Sequence, residues 1–361
     1  MRIAFGGLSQ RRGSATLRRA VLVDPRNRAA RTATALSVVG AVILAGCGGS
    51  SSTRRTSSHR AGTTAPRAQH RSAPVAVALR YRALYSLASA LQDPGSASLG
   101  NGRFVLMGGL DAADTSTSGV IVGDGHGVNQ VASLPNKQHD AQAATLGGRV
   151  YLFGGGQFST YDHILAYDPA SSSVSTVGTL PSPSSDVAVA GDGATAYVAG
   201  GYDGTNWLTT ILSYTPGQGI RVAGHLPVGL RYAVAAMAGN ALIIAGGSTP
   251  SGAASNAIYR FDPAGGQVRQ IGTLPQAITH AGGATLNGLV YVVGGRGAST
   301  DSKTASIWAV NPVTGRVRPA GQLPQPLSDP GVVGIGSAIV VAGGSSAAGT
   351  QSTVGELTPA G

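Results

Sequence analysis

One four-residue signature, two apolar or small residues followed by Gly-Gly, occurs six times: Leu106–Gly109, Leu152–Gly155, Val198–Gly201, Ile244–Gly247, Val292–Gly295 and Val341–Gly344. Its first glycines stand at 108, 154, 200, 246, 294 and 343, so the steps are 46, 46, 46, 48 and 49 residues. This period constrains the fold most, because each unit is one supersecondary element that buries its apolar face only against its neighbours. The 55 glycines follow no three-residue period. They point to many tight turns between short strands, an all-β chain, and not to a collagen-like one.

Within a unit the pieces keep one order. Twenty residues before the first glycine of five units stands a Leu-Pro pair: Leu134-Pro135, Leu180-Pro181, Leu226-Pro227, Leu274-Pro275 and Leu323-Pro324. A strand of small residues follows, then a turn such as Leu146-Gly147-Gly148-Arg149, then the apolar strand ending in Gly-Gly. After a variable loop, a third strand closes on Tyr167-Asp168-Pro169, Tyr214-Thr215-Pro216, Phe261-Asp262-Pro263 or Asn311-Pro312, where proline presets φ for a turn. A fourth strand such as Val174–Leu180 completes the sheet. Six such sheets around an axis make a six-bladed β-propeller. The last unit lacks its fourth strand, and Leu79–Leu87, ahead of the first unit, alternates like a spare one. The N-terminal strand is therefore expected to complete the last blade and remove an open edge.

The Gly-Gly, Leu-Pro and Tyr-Asp-Pro motifs, in register over residues 75–361, resemble the Kelch repeat. The resemblance implies a Kelch-type propeller with loops gathered around the mouth of a central channel. The tryptophan it leads one to expect in the fourth strand is absent from every unit: Trp207 falls in a loop or strand start, and Trp308 in a third strand. Val177, Val222 and Ile271 are expected to fill that layer instead.

The net charge of +11 belongs to the N-terminus. Residues 1–74 hold 13 arginines and one acid, Asp24, whereas residues 75–361 hold 11 Arg and 2 Lys against 13 Asp and one Glu, a balance of −1. A nucleic-acid partner for the repeat region loses its electrostatic support. Residues 33–46 carry no charge and follow eight arginines, an apolar run too short to span a bilayer comfortably but suited to a signal peptide. Leu44-Ala45-Gly46-Cys47 resembles the bacterial lipobox, which implies cleavage before Cys47 and lipidation of its sulfur. The 31-residue basic stretch ahead of the apolar run is long for such a signal. A downstream translation start near Val21 or Val23, or an uncleaved signal anchor, would leave the location unchanged. Residues 48–74 contain no aliphatic side chain larger than alanine and no aromatic, and form a basic tether, His59 and His70 included. The organisation expected is thus a signal peptide (1–46), a lipidated Cys47 with its tether (47–74) and a propeller (75–361), held as a monomer at the outer face of a bacterial cell membrane.

Six residues after the leucine of each Leu-Pro pair stand Asp140, Asp186, Tyr232, His280 and Asp329, and Asp93 is the equivalent in the first unit because Asp93-Pro94-Gly95 matches Asp329-Pro330-Gly331. These positions are expected to ring the channel mouth. Their carboxylates either cap their own turns or face a ligand as well, and several converging would raise one another's pKa or recruit a cation such as Ca²⁺. His139 and Arg231, one position earlier, are further candidates. In the loops after Gly-Gly, Tyr161, Tyr202, Asp203 and Trp207 either stack on and hydrogen-bond a sugar or serve as packing.

No cofactor motif stands out. With a single cysteine, the Cys–Tyr crosslink of galactose-oxidase-like Kelch enzymes cannot form. The leading expectation is a membrane-anchored module that binds protein or carbohydrate on its loop face. The alternative is a sugar-modifying enzyme, an epimerase, mutarotase or hydrolase, that uses the Asp/His/Tyr ring as acid and base.

Overall fold

The computed structural model describes residues 77–360. The expected signal peptide, Cys47 and the tether therefore lie outside the described residues. Among those described, every regular element is a β-strand, and apart from the short pair Ser345–Ser346 and Gly349–Thr350 the strands form six four-stranded antiparallel blades. Blade 1 contains Gly95–Gly100, Arg103–Met107 and Thr117–Gly123. Its outermost strand belongs to the continuous strand Val128–Leu146, which turns at Asp140 to become the innermost strand of blade 2, with Arg149–Gly156, His163–Asp168 and Ser173–Thr179 outside it. Blades 3, 4 and 5 begin at Ala188–Gly191, Val234–Ala238 and Gly282–Leu286 and end at Gly219–His225, Gln267–Ile278 and Val317–Gln322.

Blade 6 closes the ring as expected. Gly331–Ile335, Ala338–Ala342 and Thr353–Pro359 are joined by the outermost strand Leu79–Ser86, with Leu79 opposite Pro359 and Ser86 opposite Thr353. The first and last strands of the propeller thus share one sheet.

The second strands are buried along almost their whole length, as in Ala241–Ala245, whose five side chains are all buried. They form the layer where neighbouring blades meet, with Ile243 of blade 4 in one cluster with Val290 and Val292 of blade 5. The inner strands use Ala, Ser, Gly and Val because six of them converge on one axis, where larger side chains would collide. The Leu-Pro leucines are all buried, and Leu87, six residues before Asp93 and followed by Ala88, is their sixth counterpart.

The Gly-Gly pairs have a backbone function. Gly200 and Gly201 adopt φ of 65° and 102°, in the left-handed region that most side chains avoid. The Gly201 N–H donates to the Leu230 carbonyl at 2.8 Å, and a Cβ on Gly200 would lie 2.3 Å from that same oxygen. The bond recurs in every blade, from Gly109, Gly155, Gly247, Gly295 and Gly344 to Gln138, Ser184, Ile278, Leu327 and Leu91, at 2.7 to 2.9 Å. Each pair thereby clamps the linker that leads into the next blade.

The layer expected of Val177, Val222 and Ile271 is built differently. Pairing of the third and fourth strands skips one residue in every blade, at Val131, Val177, Ala223, Ile271, Ala320 and Leu84. This bulge turns Val177 out of the ladder, and Val177 and Val222 end up 42% and 58% exposed. Ile271 alone of the three keeps contact with the core, and Val174, Ile220, Val268 and Val317 supply the rest of the layer.

Gly200→Ala combines left-handed strain with a backbone clash and should cost on the order of 2–4 kcal/mol of unfolding free energy. Gly217→Ala, at φ 79° with open space around it, should cost only the strain, about 1 kcal/mol. Urea unfolding of the two variants checks this; equal losses would contradict the clamp.

Candidate site at the channel mouth

Asp93, Asp140, Asp186, Tyr232, His280 and Asp329 each stand where a clamped linker turns into an inner strand. All six have left-handed backbone, with φ of 54°, 58°, 57°, 52°, 56° and 57°. Asp and His visit this region more readily than most residues; Tyr232 is held there at a cost of about 1–2 kcal/mol. What holds them is a circuit of hydrogen bonds between consecutive blades. The N–H of Asp186 donates to the Asp140 carbonyl, Tyr232 to Asp186, His280 to Tyr232, Asp329 to His280 and Asp93 to Asp329, at 2.8 to 3.2 Å. The sixth link uses a side chain: the Asp140 N–H donates to Asp93 Oδ2 at 2.8 Å.

These side chains converge on a cavity of about 90 Å³ inside the channel, which Gln142 and Ser96 also line. Above it opens a cup of about 380 Å³, bordered additionally by His139, Arg296, Lys303 and Ser328. The ring carboxylates do not cap their own turns. That task falls to the outer turns, where Asp168, Asp262 and Asn311 accept from the N–H groups of Ala170, Ala264 and Val313 at 2.9, 3.2 and 3.0 Å.

Asp140 is the hub. Burial opposes its charge, but hydrogen bonding from the Asp93 carboxyl, with His139 and Asp186 beside it, outweighs that and holds it below the usual carboxylate range. Its side chain keeps 17% exposure, so channel water reaches it although atoms crowd it on all sides. Asp93 is pushed far upward, first by burial and then by the Asp140 charge, which disfavours its ionised form. Burial and Asp140 raise Asp186 to about 8 against the pull of Arg231. Burial raises Asp329 to about 6, with Ser328 Oγ donating to its Oδ2 at 2.6 Å as a counterweight. Like charges this close cannot all ionise, so the ring partitions its protons.

Arg231 Nε donates to Asp186 Oδ2, and the guanidinium lies 4.2 Å from the centre of the Tyr202 ring and 5.2 Å from those of Trp207 and Tyr232. The structure therefore brings Tyr202 and Trp207 together with Arg231, and the two rings, packed edge to face at 5.1 Å, clamp this cation. Asp203 caps its own loop through the N–H groups of Thr205 and Asn206. Tyr161 packs on His163, away from the ring residues. Among the described residues, two buried side-chain polar atoms have no hydrogen-bond partner, Asp186 Oδ1 and Trp207 Nε1.

His280 stacks on Tyr232 at 3.7 Å. Arg296 lacks an acceptor, so its 3.0 Å contact with His280 Nε2 makes that nitrogen the acceptor and places the proton on Nδ1, which faces Thr279 Oγ1 at 3.0 Å. Burial, with Arg296 next, lowers the imidazole to about 3. Burial and the carboxylate charges hold the Tyr232 phenol well above its ordinary value; its OH makes a long 3.5 Å contact with Asp140 Oδ2. Arg296, Lys303 and Ser328 escaped the sequence reading. Arg296 had a signal: the residue after each Gly-Gly pairs with the one before the ring residue, as Arg296 does with Thr279 and Tyr202 with Ser185. Among the described residues no group of three or more His, Cys, Asp or Glu side chains is arranged to hold a metal ion.

These environments make two outcomes measurable. By ¹⁵N NMR, His280 should remain the neutral Nδ1–H tautomer from pH 5 to 8; a titration near 6.5 would contradict the Arg296 contact. Because the folded state raises Asp329, it holds an extra proton between the ordinary aspartate range and about pH 6, and stability is lost as pH rises through that window. Asp329→Asn should therefore gain stability relative to the parent from about pH 4 to 6 and level off above, as read by urea unfolding.

Comparison with known proteins agrees with this architecture. The Kelch motif matches residues 277–324. No curated protein matches the sequence. Among solved structures, that of YjhT superposes with a TM-score of 0.66 at 16% identity, covering 76% of this chain and 97% of that one. The chain is thus an all-β, six-bladed propeller that carries a Kelch motif at residues 277–324.

Proposed function

We propose that this chain is an extracytoplasmic, membrane-anchored Kelch propeller that binds a polar, hydroxyl-bearing ligand, a glycan or the polar face of a protein, in its mouth. The observation that carries the proposal is the convergence of six ring side chains below an open cup of about 380 Å³ that Arg296, Lys303, His139 and Ser328 also border. A cup of this size falls within the range of small-molecule sites. Its donors and acceptors of both signs suit hydroxyls better than an apolar ligand. The anchoring rests on Leu44–Cys47 and the apolar run before it.

A sugar-modifying enzyme is the second reading, and one observation favours it. Burial and the Asp140 charge push the Asp93 carboxyl well up while hydrogen bonding holds Asp140 below its usual range, and carboxyls pushed apart in this way are suited to donate and accept protons.

Thermal-shift titration with glycans and cell-wall fragments tests the binding reading. A stabilising glycan should lose its effect, by at least tenfold in apparent affinity, in Asp140→Asn and His280→Ala. A shift that survives both substitutions, or no shift with any glycan or polar protein partner, would sink the mouth as a binding site. ¹H NMR of the binding glycan separates the second reading, since only an enzyme changes its spectrum over time. Cys47→Ala should release the protein from the membrane or leave it unprocessed; unchanged size and retention would count against lipidation.

A further inference from the structure

Formal charge is partitioned along the propeller axis. Nine of the 13 aspartates after residue 75 lie in linkers and loops of the mouth end, where Lys137, Arg231, Arg296 and Lys303 are the bases, a net of −5. The other nine bases are arginines on the turns of the opposite end or on the blade strands. They face Asp124, Asp168, Asp192, Asp262 and Glu356, a net of +4. The two ends cancel to −1, so the net charge conceals a strong axial dipole.

The basic end is ordered. Arg80, Arg221, Arg269 and Arg318 occupy the second or third position of the outermost strand in four consecutive blades, 6, 3, 4 and 5 around the ring. All four are exposed, while their neighbours Leu79, Ile220, Val268 and Val317 turn inward, so strand alternation puts every arginine on the outer rim. Arg269 stands directly across from Arg260 in the ladder. Like charges so placed destabilise a sheet unless an anionic surface screens them. The polypeptide also joins the propeller at this end, because Leu79 opens the outermost strand of blade 6 opposite Pro359, next to the turns.

We infer that the turn end of the propeller docks on an anionic phospholipid surface and holds the acidic mouth away from it. A lipid surface fits better than a nucleic acid: the arginines are spread around a broad rim across four blades and are not gathered in a groove that could track one backbone. The contact is a property of the folded surface and is separate from lipidation at Cys47.

The test uses the full chain carrying Cys47→Ser, which removes the only cysteine. Its partition onto phosphatidylcholine vesicles, with and without phosphatidylglycerol, is compared with that of Arg221→Gln/Arg269→Gln/Arg318→Gln in the same background, so the N-terminal arginines contribute equally to both. Each arginine near an anionic surface is worth about fivefold in partitioning. The triple variant should therefore bind anionic vesicles more than tenfold more weakly, with no change on neutral ones. In the same background a fluorophore at Gln218→Cys, on the turn end, should be quenched by lipid-borne spin labels, and one at Asp301→Cys, in a mouth loop, should not. Unchanged partition, equal quenching at both sites, or tighter binding to duplex DNA than to the vesicles would overturn the inference. Failure of Cys47 lipidation in cells leaves each of these readouts unaltered, so the two ideas fail separately.

Discussion

The structure depends on how one blade is fastened to the next. Each linker is gripped twice: its third-from-last carbonyl accepts a hydrogen bond from the second glycine of the preceding Gly-Gly pair, and its last residue donates to the ring residue before it. Both grips require left-handed backbone, supplied cheaply by glycine in the first case and mainly by Asp and His in the second. Burying backbone groups at the axis would be costly if they were left unpaired, and the circuit of six links leaves none of the ring N–H groups without a partner.

This fastening creates the candidate site. A left-handed turn at the start of every inner strand aims one side chain per blade at the channel, so a six-fold structural demand collects four carboxyls, an imidazole and a phenol in one place. Their charges are then managed locally. Burial and the Asp140 charge push Asp93 well up and raise Asp186 to about 8; Arg231, clamped by Tyr202 and Trp207, supplies a cation to Asp186; and Asp140 keeps the negative charge that the others support. The unpartnered Asp186 Oδ1 marks where this internal balance is incomplete.

Much of the architecture was legible in the sequence because its period is enforced by backbone geometry. The Gly-Gly pairs cannot drift, since a Cβ on the first glycine would meet a carbonyl oxygen at 2.0 to 2.5 Å in every blade. Closure by Leu79–Ser86 was legible too, from alternation and a missing strand. Side-chain roles were harder. Val177 and Val222 looked like core because a bulge does not register in a hydrophobicity pattern. The ring residues were located by counting from Leu-Pro, but their shared positive φ, and the carboxyl–carboxyl contacts that split their pKa values, depend on distances between blades that no local pattern encodes. Arg296 was half legible, since its position after Gly-Gly places it beside the residue before His280, but its contact with His280 itself is set by the folded blade.

Native-state hydrogen exchange tests the fastening most directly. The amides of Asp186, Tyr232, His280 and Asp329 border a channel open to water, yet each donates to the neighbouring blade. If the circuit holds the propeller together, these amides should exchange only through global unfolding, with protection equal to that of the buried strand Ala241–Ala245. Exchange at the rate of the exposed loop amides, while that strand stays protected, would contradict it.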